Sequence, residues 1–156
     1  MGTVFNSTFE VSLRLLLLLS ESGDTGLSID RIATYDFITI YSRYFGLSDK
    51  VLHGENEFGY SEVASRRNKA QAAIKEMVLG GLVLVVRSDD GYKYRIAENG
   101  KKVANNLVSE YAIAYRELAK LTVKKFSKNT EMEIMDVISK ASVQSLRREG
   151  YGWILH

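Results

Sequence analysis

Hydrophobic positions recur along this chain mostly with a helical period. Phe9, Leu13, Leu16 and Leu17 fall on one side of a helix predicted over residues 8–21, and Val11, Leu15, Leu18 and Leu19 fill the other. A helix apolar nearly all round has to be buried on most of its circumference, and the expected place is between partners. Gly23 to Gly26 ends it. Ser28, with Asp30 and Arg31 behind it, has the form of an N-cap and first turn. The segment Ile29 to Phe45 then carries Ile32, Tyr35, Phe37, Ile38, Ile40, Tyr41 and Tyr44 on a wide face until Gly46 stops it. Residues 47–60 read as an irregular stretch with bends at His53, Gly54 and Gly59. A third helix is predicted over Ser61 to Leu79, with Val63, Ala70, Ile74, Met77 and Val78 along one side. Arg66, Arg67, Asn68, Lys69 and Lys75 take much of its remaining surface, and Gly80 and Gly81 close it.

The period then changes. Leu82 to Val86 is an apolar, β-branched run, Ser88 to Gly91 holds an Asp-Gly turn, and Tyr92 to Ile96 alternates, which predicts a β-hairpin. Helical spacing returns over Ala97 to Leu107. It continues over Val108 to Phe126, with Tyr111, Ala114, Tyr115, Leu118 and Leu121 as the stripe, and over Asn129 to Ser139, with Met132, Met135 and Ile138. The architecture this predicts is mainly α with a β-hairpin wing. It is a winged helix-turn-helix in a single domain over 1–156, with N-terminal helices over 8–46, a recognition helix and wing over 61–97, and C-terminal helices over 98–140.

Composition narrows the chemistry. The 156 residues contain no Cys and no Pro, which excludes a disulfide framework, thiol catalysis and Cys-type zinc sites. Breaks between elements fall on Gly and small polar residues instead. Only His53 and His156 offer imidazole. The run Leu15 to Leu19 lies behind Glu10 and Arg14 and ahead of Ser20 and Glu21. That is neither a signal peptide nor the roughly 20 apolar residues of a spanning helix, so a soluble, cytoplasmic protein is expected.

Charge is unevenly distributed. Residues 1–60 hold 4 basic and 8 acidic side chains, and residues 61–156 hold 17 and 11, so an N-terminal balance of −4 faces a C-terminal one of +6. The basic part begins at the third helix and its hairpin, the footprint expected of a nucleic-acid contact or an acidic protein partner. Arg66, Arg67 and Lys69 on the helix and Lys93 and Arg95 on the wing are the candidate contacting residues. They could meet phosphates, with Arg66 or Arg67 reaching a base edge, or they could be ordinary solvated charges or a protein contact. Asp30, Arg31 and Asp36 sit close in sequence without any accompanying nucleophile or base. Asp30 is explained by the helix N-terminus, and Asp36, between aromatic residues, by a cap or a buried partner. His53, Glu55 and Glu57 are too few ligands for a metal. No Gly-rich loop followed by Lys-Ser or Lys-Thr is present, so no nucleotide site is expected. The site expectation is therefore no catalytic residue, no metal and no cofactor. Leu15, Leu19, Tyr41, Tyr44, Tyr111 and Tyr115 are the expected subunit interface, although tyrosines on helical stripes fit cores as well as interfaces, where a ring packs and the hydroxyl finds a polar partner.

One ordered set of segments is more specific. An apolar helix Phe9 to Leu19 leads into Leu27-Ser-Ile-Asp-Arg-Ile-Ala-Thr-Tyr-Asp-Phe-Ile-Thr-Ile-Tyr41. Then follow Leu52-His-Gly54, the pair Arg66-Arg67 inside a helix, Gly80-Gly-Leu-Val83, Asp90-Gly-Tyr-Lys-Tyr94, Ser109-Glu-Tyr-Ala112 and Arg116-Glu-Leu-Ala119. Across about residues 9–140 this order resembles the small middle components of bacterial ABC-three-component systems and the related small subunit of Lamassu-type anti-phage defence. The resemblance implies a non-catalytic accessory subunit that sits with an SMC-like ATPase and an effector, often a nuclease. Ile29 to Tyr41, His53 and the Arg66-Arg67 helix would then be scaffold and interface positions. The competing expectation is a homodimeric winged-helix transcription regulator that binds DNA.

Overall fold

A computed structural model of the chain describes residues 7–49, 52 and 60–148. Six α-helices and one hairpin are formed among them. They are α1 (Thr8–Ser20), α2 (Ile29–Ile40), a 3₁₀ turn (Ser42–Phe45), α3 (Tyr60–Leu79), β1 (Val83–Ser88), β2 (Gly91–Ile96), α4 (Glu98–Asn105), α5 (Glu110–Phe126) and α6 (Glu131–Arg148). Four helix starts carry the side-chain caps their sequence encodes. Ser7 accepts from the Glu10 N–H, Ser28 from that of Arg31, and Ser109 from that of Ala112. Thr130 and Glu133 close a reciprocal capping box ahead of α6.

The apolar run of α1 is buried within the chain itself, which corrects the expectation that partners cover it. Leu15, Leu16, Leu17, Leu18 and Leu19 are each at most 2% exposed. They are enclosed by α2, α3, α4, α5 and β2, so α1 is the central helix. Around it Phe37, Ile38 and Ile40 of α2, Ala73, Ile74 and Met77 of α3, Tyr115 and Ala119 of α5 and Ile134 and Ile138 of α6 complete one core. Leu15, Leu19, Tyr41 and Tyr115 belong to that core, while Tyr44 and Tyr111 are half-buried against it. The first four are thus not a subunit surface: their apolar area is already spent on intramolecular packing.

Other expectations shift in detail. The second predicted helix stops at Ile40 and tightens to the 3₁₀ turn, ended by Gly46 at φ 69°. The last helix runs on to Arg148, beyond the predicted Ser139, and buries Ile134, Ile138 and Ala141 while Met132 is 82% exposed. In α5 the buried line is Ala112, Tyr115, Leu118, Ala119, Thr122 and Phe126, and Leu121 faces out. Thr122 enters the core because its hydroxyl is satisfied there, donating to the Leu118 carbonyl at 2.9 Å and meeting the Thr39 hydroxyl of α2 at 2.9 Å.

The hairpin pairs Val83 with Ile96, Val85 with Tyr94 and Arg87 with Tyr92 in antiparallel register. Its far edge is extended by one residue before α2: Leu27 and Tyr94 exchange backbone hydrogen bonds at 2.8 and 2.9 Å. Gly26 (φ 81°) makes this approach possible, because a Cβ there would lie 3.2 Å from the Tyr94 carbonyl oxygen. Gly100 does the same for α4. A Cβ at that position would stand 2.2 Å from the Leu82 carbonyl oxygen and 2.7 Å from Ile96. Gly100→Ala is therefore expected to destabilise the chain. Ala gains up to about 1 kcal/mol of helix propensity, but overlap with fixed backbone costs about 1–3 kcal/mol or more. A thermal midpoint at or above that of the wild type would refute the tight approach of α4 to Leu82 and Ile96.

Candidate functional site

The main polar feature of the interior is an ion network built by α1, α2, α3 and α5. Arg14 stands on α1 in phase with Val11, Leu15 and Leu18, and is 2% exposed. Its Nε donates to Asp36 Oδ1 at 3.1 Å and its Nη2 to Oδ2 at 3.3 Å. The Tyr115 hydroxyl of α5 donates to the same Oδ1 at 2.6 Å. From α3, Arg66 brings its Nη1 to 3.5 Å from Asp36 Oδ2 and reaches Glu62, one turn earlier, from Nε at 3.0 Å and Nη2 at 2.9 Å. Tyr41 closes the outer end: its hydroxyl donates to Glu62 at 2.9 Å, and the Arg66 guanidinium lies 5.8 Å from its ring centre. Two cations thus meet two carboxylates, and among the described residues no buried side-chain N or O lacks a hydrogen-bond partner. Burial of single charges on this scale is tolerable only when they are paired and hydrogen-bonded this fully.

Electrostatics follow the geometry. Burial by itself would raise the Asp36 carboxyl, but the Arg14 and Arg66 guanidiniums, with the donors of Arg14 and Tyr115, hold it below its usual range. Burial would likewise lower Arg14, and Asp36 reverses the direction. Tyr41 and Tyr111 are both pushed up to about 12, first by burial; the Glu62 carboxylate adds to the effect at Tyr41, and Asp36 to that at Tyr111. Tyr115 is raised well above its ordinary value, by burial and by the Asp36 charge it bonds. An acid–base catalyst needs a pKa near the working pH. Asp36 is instead locked ionised with its oxygens occupied, the chemistry of a strut.

Of the residues expected to contact DNA or a partner, Arg66 is the clear correction. It is 7% exposed, because it lies on the apolar stripe of α3 between Val63 and Ala70, and its charge is spent on Asp36 and Glu62. Arg67 is at the surface and pairs with Asp30 at the start of α2. Lys69 is exposed. Lys93 and Arg95 are half-buried and share a hairpin face with Leu84 and Val86, whereas Val85 and Tyr94 on the other face lean on α3. Asp36 does meet the buried partner that its setting between Tyr35 and Phe37 implied. Arg31 ties α2 to the α5–α6 turn, donating to the carbonyls of Phe126 at 3.1 Å and Asn129 at 2.7 Å and to Glu131 at 3.1 Å. His53, Glu55 and Glu57 lie outside the described residues; among those described, no group of three or more His, Asp or Glu could hold a metal. The sequence reading missed Arg14 and Glu62. Helical phase was the available signal: an Arg at position 14 among Val11, Leu15 and Leu18 can only be interior.

Two predictions test the network. Asp36→Asn leaves two buried guanidiniums short of counter-charge and should cost about 3–5 kcal/mol in unfolding free energy. A urea midpoint unchanged from wild type would show that the network does not support the fold. The second prediction concerns pH. The folded Asp36 value lies below its usual 3.8, so its contribution is complete above pH 3.8 and is lost as pH falls through the folded value. Tyr41 is raised from 10.0 to about 12, so its contribution is complete below pH 10.0 and is lost as pH rises through about 12. Stability should therefore be flat between these edges, and Tyr41→Phe should flatten the alkaline limb relative to wild type.

No helix among the described residues is long and apolar enough to cross a membrane. No curated relative and no solved structure matches the chain. The family model for the Middle Component 2 of ABC-three component (ABC-3C) systems matches residues 4–148. That span takes in the central helix, the ion network and the hairpin, and the chain belongs to the ABC-3C Middle Component 2 family.

Proposed function

We propose that this chain is a non-catalytic accessory subunit of a prokaryotic anti-phage or anti-plasmid defence complex. In this reading it works in the cytoplasm, bridging or regulating an SMC-like ATPase and an effector such as a nuclease, in the manner of the Lamassu small subunit. The observation that carries the reading is the membership itself, since a middle component of a three-component system has protein partners. The interior supports it. The buried ionisable groups are consumed by one another, so the core is a rigid frame for presenting surfaces.

A second reading, a homodimeric winged-helix regulator, draws on one specific observation. The order α1, Leu27 bridge, α2, α3, hairpin, with Leu27 joined to β2, supports reading the chain on a winged-helix plan. In that plan α3 would be the recognition helix, with Arg67 and Lys69 on it. The winged-helix plan also serves the first reading, as a protein-binding module or as a DNA contact made within the complex.

Co-expression with the neighbouring components separates the two. The accessory reading expects a stable co-purifying complex, while a lone homodimer that binds a defined duplex would overturn it. A direct DNA role expects Arg67→Ala and Lys69→Ala each to lower the salt dependence of binding by roughly one unit of slope. An unchanged slope in both would remove these residues from any DNA contact.

A further inference from the structure

We propose that β1 is a docking edge onto which an extended, apolar and acidic segment of another component of the complex adds as a strand. The inference rests on the accessory-subunit reading and names where one partner engages it.

The backbone provides the first argument. Tyr94 spends its N–H and C=O on Leu27. In an antiparallel ladder, bonded and non-bonded pairs alternate, so Val85, opposite Tyr94, does not bond to it. The N–H and C=O of Val85, and those of Arg87 two residues on, therefore point to the outer edge of the hairpin. Among the described residues no further strand pairs with that edge. An open edge of this kind is a template for strand addition.

Side chains supply the second. Beside the edge, Ile74, Val78 and Leu79 of α3 and Val85 and Tyr94 of the hairpin line a groove whose one charged lining residue is Lys75. Leu79 is 79% exposed and Val85 46% exposed, so apolar area remains uncovered there. On the strand itself the one charged residue is Arg87, exposed and on the same face as Val85. A segment paired with β1 would set one side chain beside Val85, over the groove, and the side chain two residues away beside Arg87. An apolar residue fits the first position and an Asp or Glu the second. A second copy of this chain fits less well, because pairing β1 with itself would bring two Arg87 and two Lys75 side chains onto one face.

The test uses the full chain, tagged and co-expressed with the neighbouring components. Val85→Pro removes an outward N–H without touching the β1–β2 ladder, a substitution edge strands tolerate. Leu79→Glu and the double reversal Lys75→Glu/Arg87→Glu change only exposed or groove-rim groups and keep the test valid if the proline variant folds poorly. Each is expected to weaken retention of one component by about tenfold or more, with an unchanged thermal midpoint for the two charge variants. Amide exchange at Val85 and Arg87 should slow by about tenfold or more in the complex. Wild-type retention in all variants, with unslowed exchange, overturns the docking edge and leaves the accessory reading standing. Failure of the wild-type chain to retain any component overturns the accessory reading. A homodimer dissociated by Leu79→Glu assigns the edge to a second copy and overturns the acidic occupant.

Discussion

The pairing of Arg14 with Asp36 is the constraint on which the remaining structure depends. Arg14 lies on the central helix, surrounded by leucines, where a lone guanidinium could not be accommodated. Its position requires α2 to present Asp36 at one depth and angle, and the carboxylate in turn recruits Tyr115 from α5 and Arg66 from α3. Apolar packing would let these helices slide by a fraction of a turn at modest cost. A shared carboxylate with directional donors does not, so the network sets the register among four helices. Thr39 and Thr122 set a second, smaller register mark where α2 crosses α5.

That frame separates two neighbouring arginines with different tasks. Arg66 faces inward and its charge is consumed, while Arg67, about 100° further round the helix, reaches the surface and meets Asp30. The basic balance of the C-terminal part therefore overstates the free positive surface, because part of it neutralises buried acid. With the leucine run of α1 enclosed by its own chain, the exposed apolar side chains lie at the periphery. There the hairpin, α3 and the outer faces of α5 and α6 leave apolar side chains such as Leu79, Val85, Ile113 and Val137 in contact with water.

Much of this was legible from the chain alone. Caps at Ser28 and the glycine stops placed the helices, and the switch from helical to alternating period placed the hairpin. The apolar phase of α3 also named Val63, Ala70, Ile74 and Met77 as buried. The candidate surface residues were less legible. A charged residue reads as surface even where its phase puts it on the apolar stripe, as at Arg66, and an aromatic stripe fits core and interface alike until the other helices are in place, as at Tyr41 and Tyr115.

By itself, then, the sequence determined the elements and their order, because capping, glycine stops and periodicity are local properties of a few consecutive residues. It also determined that thiol and Cys-zinc chemistry are excluded, because no cysteine is present. Only the tertiary structure decided which charges are spent. Arg14, Asp36 and Arg66 lie 22 and 30 positions apart along the chain and become one cluster only when three helices pack. It also decided that the leucine-rich helix is a core and not an interface. The total apolar area of a helix is written in its sequence, but what covers it depends on how many of the chain's other faces reach it.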